Sequence, residues 1–457
     1  MYIHSLNTQQ LQPKHLVFVY LSAYSRSIRT HNNIFDNMLR IGLVGCGTVG
    51  GGVVNLITRH SKEWKSLGLD ISIESICVSS LTKPHPEIPS NVSIVTDPFL
   101  LINNDDINVI VEVMGGCGLA KEVVLKSLEK GKHVITANKA LLALCLTEIG
   151  DLLAKSPELR IGYEAAVCGG IPIIHTLQDG LAVDPVVSIC GILNGTTNFM
   201  LSEMEQNNLD YHVVLKQAQD LGFAEADPTA DVGGFDVQSK LALLAKLCFG
   251  TTFTPSKIPT VGITRLTAVD FEYAKLMECT IKMVGKATRK GNTVELFVSP
   301  ALVSKNQTLA SIHGATNMVQ VVSESLGESA YVGQGAGRYP TAQSIIADVI
   351  QLAKGQMPPP FPVGKAPLDM DVDFSSRFYV RLVITDGMGI ITAIGKAAEE
   401  AGVSIYSILQ LPIKDPQHVD FVVTTDMAKQ SKVSNMCSAV NKFSFCLEEP
   451  LALPILE

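Results

Sequence analysis

A glycine turn between an apolar strand and a helix constrains the fold more than any other feature of the sequence. Residues 39–44 form a short β-rich run, a G-x-G-x-x-G turn follows, and a helical stretch continues to about residue 67. Glycines at this spacing let the backbone approach a pyrophosphate, and the next helix offers unpaired N–H groups at its N-terminus. The turn therefore predicts a dinucleotide-binding domain. The residues expected to contact the dinucleotide here are Gly45, Gly47, Thr48, Val49 and Gly50.

Strands and helices alternate beyond the turn. Residues 71–78, 109–114 and 133–136 have the composition of further strands, and residues 120–130 have that of a helix. A repeated order of strand and helix is typical of a parallel sheet with helices on both faces. The sequence therefore predicts an α/β fold with a Rossmann-like, doubly wound parallel sheet over residues 38–160.

The end of the second strand bears on the choice of coenzyme. An acid at this place usually binds the ribose hydroxyls of NAD, but the sequence has Ser79, Ser80 and Lys83 there and no acid. Small hydroxyls and a nearby cation suit the 2′-phosphate of NADP, so NADP is predicted in preference to NAD. The alternative is that these three side chains are ordinary loop residues.

Later segments predict two further domains. Residues 161–337 mix apolar strands with long helical stretches, which predicts an α+β catalytic and dimerisation domain, and a helix at 338–353 is expected to return to the first sheet. Prolines crowd residues 354–375, which favours a stiff linker. Residues 376–457 follow a ferredoxin-like βαββαβ order, with the last strand expected at 443–447.

The first 37 residues differ from those that follow. Residues 16–24 are apolar, and Arg26 and Arg29 are basic, as in a transit or signal peptide. The apolar run is too short to span a membrane, and Met38 stands directly before the first strand. An N-terminal extension outside the fold is therefore favoured, and a targeting peptide is the alternative.

Composition excludes several classes of partner. The net charge of −8 and the lack of a dense basic run argue against nucleic acid. No membrane partner is expected. The ten cysteines lack C-x-x-C spacing, which suits free thiols in a reducing, cytoplasmic setting. A length of 457 residues, at roughly 150 residues per domain, predicts about two to four domains.

An acidic constellation at residues 222–240 contains four carboxylates and one lysine around a glycine pair. The apolar spacing after residue 235 predicts a helix on which Asp236 and Lys240 lie one turn apart. One alternative is a solvated acidic loop with an ion pair. The other is a catalytic site, because hydride transfer to an aldehyde requires a proton donor and an α-amino acid requires anions for its ammonium group.

Six segments together resemble the successive motifs of homoserine dehydrogenases, in that family's order. The resemblance implies NAD(P)-dependent interconversion of L-homoserine and L-aspartate 4-semialdehyde, within threonine and methionine biosynthesis. It covers residues 38–350. The segments are residues 45–50, 136–142, 163–167, 194–198, 222–240 and 333–337.

The resemblance implies a role for each charged residue of the constellation. Lys240 would give a proton to the reacting oxygen, and Asp236 would orient it and help to keep it protonated. Lys139 would lie between the nicotinamide and the substrate, and Glu225 and Asp231 would bind the amino and hydroxyl region of homoserine. The other implied contacts are Asn194, Gly195 and Thr196 to the substrate, Gly115 and Gly335 to the dinucleotide, and Glu164 with the backbone carbonyls of Val167, Gly169 and Ile171 to a monovalent cation, expected to be sodium.

The C-terminal segment resembles an ACT domain. Residues 386–391 lie between a strand and a helix and are similar to the amino-acid-binding loop of these domains. Threonine is the expected effector, and a homodimer or homotetramer is expected. The alternative is a dimerisation module that binds nothing. The proline-rich linker further predicts that a chain ending near Gly364 stays active and loses its response to threonine.

Two other functions remain open from the sequence. A phosphorylating semialdehyde dehydrogenase would need a cysteine nucleophile with a histidine partner, and Cys117 or Cys168 with His133 or His175 are the candidates. A non-catalytic sensor of NADP and an amino acid is the second alternative.

Overall fold

The computed structural model describes residues 38–360 and 367–456. The predicted extension at 1–37, the centre of the predicted linker at 361–366 and the final residue lie outside the described residues. The first elements alternate as predicted. They are β1 (Met38–Val44), α1 (Thr48–Ser66), β2 (Asp70–Cys77), β3 (Ser93–Val95), α2 (Pro98–Ile102), β4 (Val109–Glu112), α3 (Gly118–Glu129), β5 (His133–Thr136), α4 (Lys139–Lys155) and β6 (Ile161–Gly162).

These six strands of the described chain form one parallel sheet in the order β3-β2-β1-β4-β5-β6. Helix α1 covers one face, where Val53 joins Leu43 in a buried cluster. Helix α3 covers the other face, where Val123 joins Ile110. Because β1 and β4 are buried on both faces, their sequences are apolar runs rather than alternating ones. The predicted doubly wound α/β sheet is confirmed.

A second, mostly antiparallel sheet follows. Its strands are β7 to β11, and most of the helices of this region lie between the first two of these strands. The last helix, α11, returns to the first sheet, where Ile345 lies in the same buried cluster as Val53. The elements are α5 (Ile173–His175), β7 (Val186–Ile192), α6 (Gly195–Asn207), α7 (Tyr211–Asp220), α8 (Thr229–Val232), α9 (Phe235–Phe249), α10 (Ala268–Leu276), β8 (Cys279–Lys290), β9 (Thr293–Ser304), β10 (Thr316–Ser323), β11 (Gly327–Gln334) and α11 (Arg338–Ala353).

The C-terminal elements continue this second sheet instead of forming a sheet of their own. The combined strand order is β11-β10-β7-β8-β9-β17-β13-β15-β14, and β17 pairs in parallel with β9, with Ile455 opposite Leu302. The added elements are β12 (Asp369–Asp371), β13 (Ser375–Ile384), α12 (Ile390–Ala401), β14 (Ile405–Gln410), β15 (Val419–Thr425), β16 (Ala428–Lys429), α13 (Gln430–Val440) and β17 (Leu451–Leu456).

The prediction that residues 443–447 form the last strand of the βαββαβ module is wrong. Residues 443–447 form a turn after α13, and Phe443 stacks on Phe445 there with ring centroids 5.2 Å apart. The strand is β17, which contains Pro454 and so does not read as a central strand. This strand lies between β9 and β13, where long-range pairing overrides the local signal.

The linker does not isolate the C-terminal module. Part of it forms β12, which pairs in parallel with β9. Ile192 of β7 and Val284 of β8 share a buried cluster with Ile394 and Val433 of the module. A chain cut in the linker would therefore expose the edge of β9 and a buried apolar face, in contrast to the expectation from the prolines.

A buried ionic network also ties the module to α10. Asp270 accepts hydrogen bonds from the Tyr379 hydroxyl and the Arg381 Nε, each at 2.8 Å. The same guanidinium lies 3.4 Å from Asp420 of β15. Asp270, Tyr379 and Arg381 are buried, so these groups depend on one another for their charges and hydrogen bonds.

In the described part of the chain, no helix has the length and apolar character needed to cross a membrane.

We predict that Arg381→Met lowers the free energy of unfolding by about 3–5 kcal/mol, because it leaves the buried Asp270 carboxylate without its cation. Urea unfolding of the full chain measures the change. Lys396→Met on the exposed face of α12 is the matched control, and its unfolding curve should match wild type. Equal effects of the two substitutions would contradict the structural role of the network.

Candidate active site

The three glycines of the turn have different physical reasons to lack a side chain. Gly45 has a φ of +104°, a conformation that other residues rarely adopt. A Cβ on Gly50 would lie 2.1 Å from the Gly45 carbonyl oxygen, whereas a Cβ on Gly47 would meet no heavy atom within 4 Å. Gly47 and Thr48 are exposed at the start of α1. This cradle fits a dinucleotide phosphate, because open backbone N–H groups face the place where it would bind.

Glu112 organises the neighbouring strand ends, and the sequence analysis missed it. Its carboxylate accepts hydrogen bonds from the backbone N–H groups of Met114 and Gly115 at 2.9 and 3.3 Å and from the Thr136 hydroxyl at 2.6 Å. The residue is fully buried at the end of β4. An acid that ends an otherwise apolar central strand was the signal that could have identified it.

Asp236 is the centre of the constellation. Its Oδ1 lies 2.8 Å from the Lys139 Nζ, and its Oδ2 lies 2.8 Å from the Lys240 Nζ. Lys139 begins α4 in the nucleotide-binding region, while Asp236 and Lys240 lie one turn apart on α9. The Lys240 Nζ also donates to the Leu193 carbonyl oxygen at 2.5 Å. The structure thus joins three sequence-predicted site residues from separate segments.

Asn194 connects this centre to a second carboxylate. Its side-chain oxygen caps α6 by accepting from the Thr197 N–H at 2.8 Å. That contact fixes the amide orientation, so its NH₂ group donates to Asp231 at 2.7 Å and to Asp236 at 2.8 Å. Asn194 therefore holds two carboxylates in one place.

The charges of the cluster support one another. Burial opposes ionisation of Asp236, but Lys240 and Lys139 outweigh burial and hold the pKa of this carboxyl well below its usual range. Burial also disfavours the charge on Lys240, yet Asp236 outweighs it and raises the pKa of the ammonium group. For Asp231, burial dominates and raises the pKa, although the hydrogen bond from Asn194 opposes this. The site therefore contains a lysine ammonium group that persists at neutral pH.

The acidic loop before α8 lies outside the buried cluster. Glu225 is exposed, and its backbone carbonyl accepts from Gln219 at 3.1 Å. Thr196 holds the loop to the start of α6, because its hydroxyl donates to the Phe223 carbonyl oxygen at 2.7 Å. A Cβ on Gly195 would lie 2.8 Å from the Ala315 carbonyl, so glycine allows this close approach.

Glu164 lies in a second buried cluster. Its carboxylate accepts from the backbone N–H groups of Ile174 and His175 at 2.9 and 2.7 Å. The His175 ring lies 3.2 Å from Glu164 and 2.8 Å from Asp348. Burial raises the pKa of Glu164 to about 7, which His175 partly opposes. Burial also raises the pKa of Asp348, so two buried carboxyl groups share a single imidazole.

The backbone near Glu164 reverses direction at Cys168 and Gly169, whose φ angles are +54° and +43°. The Gly169 carbonyl accepts from the Ser344 hydroxyl at 2.5 Å, and the Ile171 carbonyl accepts from the Ile173 N–H at 2.8 Å. Carboxylate and carbonyl oxygens are ligands that hard cations prefer. The charge and the donor chemistry of these residues therefore fit a monovalent cation.

Gly335 packs against this turn. A Cβ added to Gly169 would lie 2.6 Å from the Gly335 carbonyl oxygen, and a Cβ added to Gly335 would lie 2.1 Å from the Asn317 side-chain nitrogen. Asn317 is fully buried and was not identified from the sequence, because nothing in its local pattern on β10 distinguishes it from a core position.

Ser79 and Lys83 lie apart from these contacts, exposed after the end of β2.

The surroundings of Cys168 do not support a thiol nucleophile. Burial raises the pKa of Cys168 to about 11, which keeps the thiol protonated. Burial, with Arg160, lowers the pKa of His133 to about 4, and its Nδ1 accepts from the Arg160 N–H at 3.1 Å. The His175 ring contacts Asp348 and Glu164. A protonated thiol at Cys168 does not supply the nucleophile that a phosphorylating dehydrogenase needs.

The parallel sheet, the glycine cradle and the lysine ammonium group beside them define an NAD(P)-dependent oxidoreductase. Residues 45–161 match the family model for the NAD binding domain of homoserine dehydrogenase, and residues 172–350 match the homoserine dehydrogenase model. A homoserine dehydrogenase from Neisseria gonorrhoeae is 37% identical over 92% of this chain and 98% of its own length. The chain belongs to the homoserine dehydrogenase family, and the prediction made from its motifs is confirmed.

Two further comparisons agree. The homoserine dehydrogenase of Bacillus subtilis is 36% identical, covering 88% of this chain and 95% of its own. The crystal structure of a homoserine dehydrogenase from Thiobacillus denitrificans superposes with a TM-score of 0.85 at 32% identity, covering 92% of this chain and 98% of that one. Family membership therefore favours the dehydrogenase over the phosphorylating enzyme and the non-catalytic sensor.

We predict that Gly50→Ala and Gly47→Ala separate packing from ligand approach. Gly50→Ala should lower the free energy of unfolding by about 1–3 kcal/mol, because its methyl group overlaps the Gly45 carbonyl. Gly47→Ala should unfold like wild type but bind NADPH more weakly, because its methyl group occupies the space that a phosphate approaches. Urea unfolding and NADPH fluorescence titration measure the two effects. An unfolding curve for Gly47→Ala that matches Gly50→Ala would refute the distinction.

Proposed function

We propose that Lys240 gives a proton to the carbonyl oxygen of L-aspartate 4-semialdehyde as it becomes L-homoserine, and takes it back in the reverse direction. When bound, the nicotinamide supplies or accepts the hydride. The observation that carries this proposal is the Asp236 carboxylate, 2.8 Å from both Lys139 and Lys240. Asp236 orients the Lys240 ammonium and keeps it charged, and Lys139 brings a second cation from the edge of the nucleotide-binding sheet.

The carboxylates around the lysines suit the substrate's ammonium group. We assign Asp231 and Asn194 to one wall of the substrate pocket. The Asn194 side chain donates to Asp236 and also to Asp231, and so it links both residues to the lysines. Glu225 is exposed in the loop that Thr196 anchors, and we assign its carboxylate to the substrate's ammonium group. Gly195 completes this wall.

For the coenzyme, we propose NADP in preference to NAD. Ser79 and Lys83 lie exposed after β2, on the side of the glycine turn where an adenosine ribose would bind. The Lys83 ammonium group would pair with a 2′-phosphate there. Gly115, at a φ of +78°, and Gly335 complete the coenzyme contacts that we propose.

We also propose a monovalent cation, sodium, at Glu164 and the carbonyls of Val167, Gly169 and Ile171. The two buried carboxyl groups that share His175 support it, because a bound cation would favour their ionised forms against the burial that raises both pKa values. A cation bound there would fix the turn against which Gly335 packs.

The C-terminal module is proposed as an ACT domain that binds threonine and contributes to a homo-oligomer. Its βαββαβ order, with adjacent strands β17-β13-β15-β14, supports the first part. Residues 386–391 include the end of the loop after β13 and the first two residues of α12, and Met388 in that loop is fully exposed. The cysteines lack C-x-x-C spacing, which supports the proposed cytosolic setting.

We predict that Lys240→Ala lowers kcat roughly 10²- to 10⁴-fold while the Kd for NADPH stays close to wild type, because only the proton donor is removed. Steady-state kinetics and fluorescence titration measure the two constants. Lys246→Ala, further along the same helix, is the matched control, since the Lys246 ammonium donates to the Gly250 carbonyl instead of the site. Similar kcat values for the two variants would exclude Lys240 as the donor.

The raised pKa of Lys240 predicts opposite pH dependences for the two directions of reaction. Reduction consumes the proton of the ammonium group, so its kcat should be constant through neutral pH and fall at alkaline pH. Oxidation needs the neutral amine, so its kcat should rise toward alkaline pH. NADPH absorbance followed in both directions tests this. A reductive kcat that declines across neutral pH would contradict the assignment.

Lys83→Ala is expected to lower kcat/KM for NADP by about tenfold and to leave that for NAD unchanged, because only NADP carries the 2′-phosphate. Lys62→Ala, an exposed lysine at the far end of α1, serves as the control. Equal losses with both coenzymes would show that Lys83 does not contact the 2′-phosphate.

A further inference from the structure

The loop after β2 brings three metal-ligating side chains together beside the glycine turn. Cys46 lies within the turn, and His85 and Glu87 lie between β2 and β3. Their ligand atoms all lie within 4.8 Å of one another, and no other three His, Cys, Asp or Glu side chains of residues 38–360 and 367–456 do so. The functions assigned above do not use these three residues.

The distances suit a small tetrahedral ion. Zinc binds sulfur at about 2.3 Å and nitrogen or oxygen at about 2.0–2.2 Å, so its ligands lie roughly 3.3–3.8 Å apart. The Cys46 Sγ already lies 3.7 Å from the Glu87 Oε1. The imidazole of His85 completes a set of sulfur, nitrogen and oxygen donors, which is a set that zinc accepts.

The surroundings hold two of these ligands in place. The His85 Nε2 lies 3.3 Å from the Ser80 carbonyl oxygen and donates to it, which leaves the lone pair on Nδ1. Metal-binding histidines commonly make this second hydrogen bond to a carbonyl. Glu87 reaches the helix because residue 51 is glycine, since a Cβ there would lie 3.0 Å from the Glu87 Oε1.

The local charges tolerate a divalent ion. Burial, together with Glu87, raises the pKa of the Cys46 thiol to about 11, and a bound ion would displace its proton. The ion, one thiolate and one carboxylate then sum to zero charge. The positive N-terminus of α1 and the nearby Arg338 guanidinium would thus meet a neutral site.

We propose that Cys46, His85 and Glu87 bind a thiophilic divalent ion of the zinc class, with a fourth position open to water. Cys46 lies between Gly45 and Gly47, so an ion on its sulfur is bound within the glycine turn. We expect the ion and the dinucleotide to weaken each other's binding, a consequence that rests on the dinucleotide contacts proposed for the turn.

Titration of the coenzyme-free full chain with Co²⁺ and then Zn²⁺ tests the site. One Co²⁺ per chain should bind and give a thiolate-to-cobalt charge-transfer band, and Zn²⁺ should displace it. Cys46→Ser should abolish the band, and His85→Gln should weaken Zn²⁺ binding by roughly 10- to 100-fold or more. Cys446→Ser and His60→Gln, which remove other partly exposed thiol and imidazole groups, should bind like wild type.

Added NADPH should reduce the charge-transfer band, and a band that persists at saturating NADPH would overturn the competition. Zn²⁺ binding that is equal in wild type, Cys46→Ser and His85→Gln would overturn the site itself. Thermal unfolding checks that the variants fold. Glu87→Gln, which changes the third proposed ligand, should also weaken Zn²⁺ binding. Lys240→Ala should bind Co²⁺ like wild type, so the result does not depend on whether the catalytic proposal holds.

Discussion

The two halves of the molecule meet at the buried carboxylate of Asp236. It accepts Lys139 from the nucleotide-binding region, Lys240 from its own helix and the amide of Asn194 from the start of α6. A carboxylate buried this deeply is stable only with its charge paired. The contact therefore assembles only when α4 and α9 are packed together, which places Lys240, the proposed proton donor, at the edge of the nucleotide-binding sheet.

The sequence predicted what depends on local spacing. The glycine turn, the alternating strands of the first sheet and the position of Lys240 one turn after Asp236 all follow from patterns within a few residues. The strand β17 was not predicted, because its formation depends on long-range pairing instead of local spacing. Its Pro454 weakens the local strand signal, and only pairing with β9 and β13, from distant parts of the chain, makes it a strand.

The same division holds at the site. Asp236 and Lys240 were found by spacing, whereas the contact with Lys139 could be anticipated only from the family resemblance, because the helices that bring them together are far apart in sequence. Glu112 was missed because its hydrogen-bond partners lie on other segments of the chain, and Asn317 was missed because its local pattern on β10 does not distinguish it from a core position. The set of Cys46, His85 and Glu87 likewise has no motif in the sequence.

The place of β17 in the middle of the second sheet has a consequence for biosynthesis. Because the ribosome makes β9 well before β17, the part of the β9 edge at Leu302 and Val303 stays unpaired until the last described strand has been translated. The first sheet has no such dependence, because all its strands and the helices between them emerge earlier. Nascent chains should therefore present a folded nucleotide-binding region and an open sheet edge, a state in which chaperone binding would protect the chain from aggregation.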